Sequence, residues 1–259
     1  MTDYSVIDQS SLLPYIFYPR DDRTPCPDRA FDFAVTVEEG VEVFCRAYLA
    51  DRSRPSILYF HGNGEVASDY DPIAPLFEKE AINLLVAEYR GYGMSSGRPT
   101  LTALARDCHR ILASARGELR SRGFHDRPWV MGRSLGSISA LELGFRDGSA
   151  VPGLIIESGF MCITSILRHL DLPLPRTDAS IRRVEVECRE MVRAISLPVL
   201  IIHGAEDSLV PLGEAEDLYE GLRSEKKELV VIPGADHNSL LFTQRERYFG
   251  AIRRFVSGG

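Results

Sequence analysis

Three side chains of the types that could carry out acyl transfer lie along this chain, one just past each of three apolar runs. Ser134 stands in Gly132-Arg133-Ser134-Leu135-Gly136, a G-x-S-x-G run between the apolar stretch Trp129–Met131 and a helical pattern through Ile138 and Leu141. A serine on a sharp strand-to-helix turn needs small residues on both sides, because the strained turn brings other backbone close. The helix that follows directs its positive end to where negative charge develops. Serine also needs a base. Of the six histidines, His237 lies in the loop Pro233-Gly234-Ala235-Asp236-His237-Asn238 after the last apolar run, placed to reach over the strand ends. The base needs a carboxylate to fix its tautomer. Asp207 directly follows the apolar run Val199–Ile202, with Glu206 and Glu157 as competitors for that role. The developing oxyanion needs N–H donors. His61-Gly62-Asn63-Gly64 follows the run Ile57–Phe60, so the N–H groups of Asn63 and Leu135 are the expected pair, with Gly64 as the alternative to Asn63. His61 is expected to hold the loop through its ring.

These groups must be carried by elements that bring distant parts of the chain together. Short apolar runs bounded by turn residues recur at Ile57–Phe60, Ile82–Glu88, Trp129–Met131, Leu154–Ile156, Val199–Ile202 and Leu229–Ile232. Helical patterns lie between most of them, the clearest being Leu101, Leu104, Ala105, Cys108, Ile111, Leu112, Ala115 and Leu119 at steps of three and four. Continuous apolar strands alternating with helices imply an α/β fold, a parallel sheet covered on both faces. Phe31–Val37 and Val41–Leu49 alternate around Glu38–Gly40 and predict a hairpin ahead of it. The stretch 66–80 predicts a weak helix interrupted by Pro72 and Pro75. Residues 1–30, rich in Pro, Asp and Arg, read as an irregular N-terminal arm before a domain over 31–259. Residues 161–195 are too long for an ordinary loop and predict a small cap of two helices above the sheet's C-terminal edge. Within it, Met161 and Ile166 are candidates to line an acyl pocket, and burial against the sheet is the alternative. Arg133, beside the serine, is a candidate for a substrate carboxylate or phosphate, against an internal ion pair with Glu157 or a carboxylate of the insertion.

The 259 residues carry 30 Lys and Arg against 37 Asp and Glu, a formal charge of −7 that lacks the basic footprint of a nucleic-acid binder. No apolar run reaches the ~18–20 residues of a membrane span, and MTDYSVIDQS does not read as a signal peptide. Five dispersed cysteines without CxxC spacing fit free thiols, so the cytoplasm is the expected compartment. No His/Cys cluster has metal spacing, and no cofactor is expected. Two other classes compete. Gly62-x-Gly64-x-x-Ala67 after a strand fits a dinucleotide fingerprint with Glu88 as ribose acid, as in an NAD(P)-binding Rossmann oxidoreductase, but leaves Ser134, Asp207 and His237 unexplained. A non-catalytic binding protein on the same fold is favoured by nothing in the chain.

HGNG, Glu88-Tyr89-Arg90-Gly91-Tyr92-Gly93-Met94-Ser95-Ser96-Gly97, GRSLG, HGAEDSLVP and GADHN together resemble the α/β-hydrolase superfamily, most of all its Bem46-like serine hydrolases. The chain order Ser134, Asp207, His237 is that of the superfamily. The resemblance spans residues ~55–245 and implies a mostly parallel eight-stranded sheet with a cap after the sixth strand. It implies a serine hydrolase that cleaves small-molecule carboxylic esters or thioesters through an acyl-enzyme. The superfamily's dehalogenases and epoxide hydrolases use a carboxylate nucleophile, so Ser134 disfavours that chemistry. Its palmitoyl-thioesterase members carry an N-terminal cysteine cluster, whereas this arm has only Cys26, so no stable membrane anchor is expected.

Overall fold

A computed structural model describes residues 1–9, 11–174 and 179–258. Eight strands form one sheet: β1 (Phe31–Glu38), β2 (Val41–Tyr48), β3 (Ser56–Phe60), β4 (Asn83–Ala87), β5 (Trp129–Arg133), β6 (Leu154–Glu157), β7 (Val199–Gly204) and β8 (Lys227–Ile232). The helices are α1 (Ser5–Asp8), α2 (Leu13–Ile16), α3 (Ala74–Lys79), α4 (Leu101–Ser121), α5 (Ser137–Arg146), α6 (Ile163–His169), α7 (Ala179–Ala194), α8 (Leu212–Gly221), α9 (Leu240–Thr243) and α10 (Arg245–Ser257). Strand order is β1-β2-β4-β3-β5-β6-β7-β8. β1 and β2 form the expected antiparallel hairpin, β2 is antiparallel to β4, and the remaining pairs are parallel.

The parallel strands are mainly apolar because both faces are covered, with polar residues such as Ser56, Asn83, Arg133, Glu157 and His203 near their ends. Every residue of β3, β4, β5, β6 and β7 is buried. One face packs against α4, α5, α7 and α8, the other against α3, α9 and α10. Order reverses at β3, which lies between β4 and β5. The loops leaving β3 and β5 therefore diverge from the point where an open parallel sheet offers a crevice.

The N-terminal arm contains two short helices, and Tyr4, Ile7, Leu12, Ile16 and Phe17 are buried against the α4 face. Four-residue turns are too short to show a period in sequence. The Asp8 carboxylate accepts from the N–H groups of Leu101 and Thr102 at 2.8 and 3.0 Å, and the Thr100 hydroxyl from Ala103 at 3.0 Å, so α4 begins with its free donors met. The 66–80 stretch is a 3₁₀ turn, Ala67–Tyr70, followed by α3. Pro75 sits in the first turn of α3, where a missing N–H costs nothing.

Residues 161–195 divide into two parts, with 175–178 outside the described residues. α7 packs on α5, α8 and α1 and buries Ile181, Val184, Cys188, Met191 and Val192. It is the crossover that joining parallel β6 and β7 requires. α6 instead borders the loop after β7, through His169 Nε2 to the Ser208 carbonyl at 2.9 Å, and the first turn of α8, through the Ser165 hydroxyl to Glu214 at 2.7 Å. No helix among the described residues is long and apolar enough to cross a membrane.

Candidate active site

Ser134 has φ +50° on the turn between β5 and α5, outside the range a serine prefers. The two glycines of its motif make the turn possible. A Cβ on Gly132 would run into the carbonyl of Gly136, and one on Gly136 into the carbonyl of Phe60. The hydroxyl of Ser137 donates to the Ser134 carbonyl and fastens the turn from inside.

His237 reaches this serine from the loop after β8. Its Nε2 lies 3.0 Å from Ser134 Oγ, and its Nδ1 lies 2.7 Å from Asp207 Oδ2. The other oxygen of Asp207 accepts from the N–H groups of Leu209 and Val210 at 3.0 and 2.8 Å. Burial raises the Asp207 carboxyl, but the hydrogen bond and charge of His237 and the Val210 N–H outweigh it, and its pKa is lowered. An ionised Asp207 accepts from Nδ1–H, which leaves Nε2 free to take the serine proton. Beneath it His203 is fully buried, with Nε2 2.8 Å from the Val210 carbonyl and 3.5 Å from Asp207 Oδ2. Burial lowers the pKa of His203 and favours its neutral form, and its Nδ1 has no hydrogen-bond partner among the described residues.

Neither competing carboxylate meets His237. Glu206 is exposed. Glu157 accepts from the hydroxyls of Tyr59 and Tyr248 at 3.1 and 2.8 Å and lies 3.4 Å from Arg133 Nε. Burial pushes its pKa up.

The Asn63 N–H meets no acceptor among the described residues and is free to serve an oxyanion. Leu135 N–H lies at the start of the helical turn, where such donors are unpaired. Gly64, the alternative donor, lies on the same turn with φ +75°. The Asn63 side chain is a rivet: Nδ2 donates to the Ile16 carbonyl at 2.7 Å, and Oδ1 accepts from Tyr18 N–H at 3.0 Å and Tyr92 hydroxyl at 2.7 Å. His61, fully buried, spans the Gly62 carbonyl at 2.8 Å and Glu88 at 3.3 Å, which holds the loop as expected. Glu88 also accepts from Ala67 N–H at 2.8 Å. It is therefore buried and occupied rather than presented to a ribose, and a 3₁₀ turn follows Gly64 where a dinucleotide fold needs a helix N-terminus.

Of the three tentative substrate residues, Arg133 and Ile166 are used internally, and Met161 is half-buried at the edge of a groove. Arg133 is buried, paired with Glu65 and Glu157, and donates to the His237 carbonyl at 2.9 Å and Asn238 Oδ1 at 2.8 Å. An arginine so engaged has no donor fork to offer a substrate anion. Ile166 is buried in the core. Met161 packs toward Gly221 of α8, beside a polar groove of about 530 Å³ between α6, α7 and α8. Sequence reasoning missed Glu65 and Tyr92. Glu65 directly follows the glycine loop, and its carboxylate accepts from Gly62 N–H at 2.9 Å and Tyr70 hydroxyl at 2.6 Å. Its place three residues after Gly62 was the only local signal.

Comparison with known proteins agrees with this architecture. Residues 51–173 and 171–243 match the family described as serine aminopeptidase, S33. Protein bem46 of Schizosaccharomyces pombe is 30% identical over 212 residues, covering 79% of this chain and 68% of that one. The YfhR protein of Salmonella typhimurium is 26% identical over 247 residues, covering 87% and 82%. The Pyrococcus furiosus esterase Pf2001 superposes with a TM-score of 0.73 at 18% identity over 93% of this chain and 98% of that one, a likeness of fold. A sheet of this order, with its serine on the β5–α5 turn and the family match running from residue 51 to 243, makes this chain an α/β-hydrolase of the serine aminopeptidase S33 family, similar to Bem46.

Proposed function

We propose that this protein is a serine hydrolase that cleaves small-molecule carboxylic esters or thioesters through an acyl-enzyme. The observation that carries this reading is the continuous line Ser134 Oγ–His237 Nε2–Asp207 Oδ2, with separations of 3.0 Å and, from Nδ1, 2.7 Å. Ser134 attacks the carbonyl carbon as its proton passes to His237 Nε2. The oxyanion is held by the N–H groups of Asn63 and Leu135. Collapse expels the alcohol or thiol, which takes the proton from His237, and water then releases the acid by the same steps. Asp207 keeps the imidazole oriented and stabilises it while charged.

Ester chemistry is favoured over aminopeptidase action by the state of the buried carboxylates near the site. An aminopeptidase needs a free carboxylate for the substrate's ammonium group, but Glu65 and Glu157 are paired with Arg133, and Glu88 is bonded to His61, which leaves only the exposed Glu206 and Asp236 beside Asp207 and His237. Tyr18, Leu209 and Phe242 are exposed apolar residues on the segments that carry Asn63's partner, Asp207 and His237, which suits a substrate with an apolar part.

The test is labelling by a fluorophosphonate probe, with turnover of p-nitrophenyl esters of increasing chain length, one thioester and one amino-acid amide. Wild-type protein should label and hydrolyse esters, and Ser134→Ala should lose both, by ~10⁴–10⁶ in kcat. Labelling of the alanine variant at the wild-type rate refutes the assignment of the nucleophile. Faster turnover of the amide than of every ester refutes the substrate class.

A further inference from the structure

We infer that Arg133 and Glu65 are positioning residues: one buried ion-pair cluster sets the oxyanion loop, the serine turn and the histidine loop relative to one another. The inference rests on the serine-hydrolase reading above and concerns how that site is held.

Arg133 is the last residue of β5, directly before Ser134, so its backbone moves with the nucleophile. Its guanidinium reaches three other segments. It pairs with Glu65 on the loop after β3 and with Glu157 at the end of β6. It donates to the His237 carbonyl at 2.9 Å and to Asn238 Oδ1 at 2.8 Å. Glu65 passes the connection on, since its second oxygen accepts from Gly62 N–H at 2.9 Å, one residue before the Asn63 donor. The hydroxyls of Tyr70 on Glu65 and of Tyr59 and Tyr248 on Glu157 occupy the remaining acceptor positions. Hence each carboxylate is fixed in direction as well as paired.

This geometry asks for arginine. Its planar fork presents five donors in fixed directions, whereas lysine presents one compact charge that cannot meet two carboxylates and two carbonyl-type oxygens in different directions. The bond to the His237 carbonyl has the clearest consequence, because it sets where the imidazole's own backbone sits. Among the described residues the ring's own hydrogen-bond partners are Asp207 and Ser134, the groups it must serve. A shift of about 1 Å in that backbone is enough to lose about 100-fold in rate.

The experiment compares wild type, Arg133→Lys, Glu65→Gln and the double variant Arg133→Met/Glu65→Gln. Readouts are kcat and KM on a p-nitrophenyl ester, the fluorophosphonate labelling rate, and melting temperature. Labelling of wild type and its loss in Ser134→Ala test the hydrolase reading first and separately. Given a labelled wild type, Arg133→Lys should lower kcat and labelling about 100-fold with KM within threefold. Glu65→Gln, which keeps an acceptor for Gly62, should lower kcat by about tenfold. The double variant removes the Glu65 charge together with its cation and leaves Glu157 to the hydroxyls of Tyr59 and Tyr248. It should melt closer to wild type than Arg133→Met, measured alongside, while remaining as slow as Arg133→Lys. Wild-type kcat in any folded variant that lacks the arginine overturns the inference, as does wild-type kcat in Glu65→Gln. So does a rise in KM alone, which would return Arg133 to substrate binding.

Discussion

Replacing Asp207 by asparagine keeps the shape of the site and should nearly abolish turnover, for a reason specific to this loop. Asp207 Oδ1 accepts two backbone N–H groups, from Leu209 at 3.0 Å and Val210 at 2.8 Å. An asparagine must leave its carbonyl oxygen there, because turning the amide would set its NH₂ against two donors. The NH₂ is then forced to the position of Oδ2, 2.7 Å from His237 Nδ1. It can only donate, so Nδ1 must be unprotonated and the ring proton moves to Nε2, facing Ser134 Oγ. In that tautomer the imidazole cannot accept the serine proton. A wrong tautomer costs about 10⁴ in kcat, or about 5 kcal/mol of transition-state stabilisation. Glu157 cannot substitute, since two tyrosine hydroxyls and Arg133 hold it. The assay is kcat on a short p-nitrophenyl ester with the labelling rate of Ser134 alongside, at a pH where wild type is fully active. An Asp207→Asn variant within tenfold of wild type, or a larger loss from Glu157→Gln, refutes this assignment of roles.

Other consequences are open to measurement. Asn63→Ala removes three hydrogen bonds to Ile16, Tyr18 and Tyr92 while keeping the backbone N–H. At about 1 kcal/mol each it should cost about 3 kcal/mol of stability, and kcat should fall by about 10² as the loop shifts; an unchanged kcat contradicts the tie between arm and loop. His203 has a folded pKa below its unfolded value of about 6.5. Its neutral form therefore contributes stability that is complete above pH ~6.5 and is lost as pH falls through the lowered value, so the melting temperature should drop on acidification from there. The lowered carboxyl of Asp207 adds a further loss only below about pH 4. His203→Gln, which can keep a donor for the Val210 carbonyl, should flatten the melting curve's dependence between pH 6.5 and 5, and an unaltered slope counts against it. Short and medium acyl esters should be hydrolysed faster than long-chain triglycerides, because α6 borders the acid's loop. Replacing Ile163–His169 with a Gly-Ser linker should narrow that preference and lower the melting temperature by removing the buried Ile163, Ile166 and Leu167 from the core. α7 must be left in place as the β6–β7 crossover. An intact protein that prefers long triglycerides excludes α6 as a cover.

What the sequence determined by itself was local and periodic. Continuous apolar runs give parallel strands because a polar residue covered on both sheet faces is costly unless it is paired, and the runs from Ile57 to Ile232 mark β3 to β8 within a residue or two. The glycines around Ser134 mark the strained turn because only they leave room for the carbonyls of Phe60 and Gly136. His237 and Asp207 were legible because parallel strands all end on one side, so residues just past their ends share a neighbourhood whatever their separation in the chain.

Only the tertiary structure decided which buried charges pair. The partners of Arg133 lie 68 residues before it and 104 after it in hydrogen-bonding order, at Glu65 and His237, and no period or motif encodes that distance. A charge beside a nucleophile reads in sequence as a substrate contact, while in the fold the low-dielectric surroundings require it to be matched from within. The same holds for the arm. Its proline-rich composition gave no period, but Asp8 caps α4 and the backbone of Ile16 and Tyr18 engages Asn63. For α7, amphipathicity says that one face is buried and leaves open what buries it. The answer is α5, α8 and α1, because a crossover between parallel strands has to pack back against the sheet.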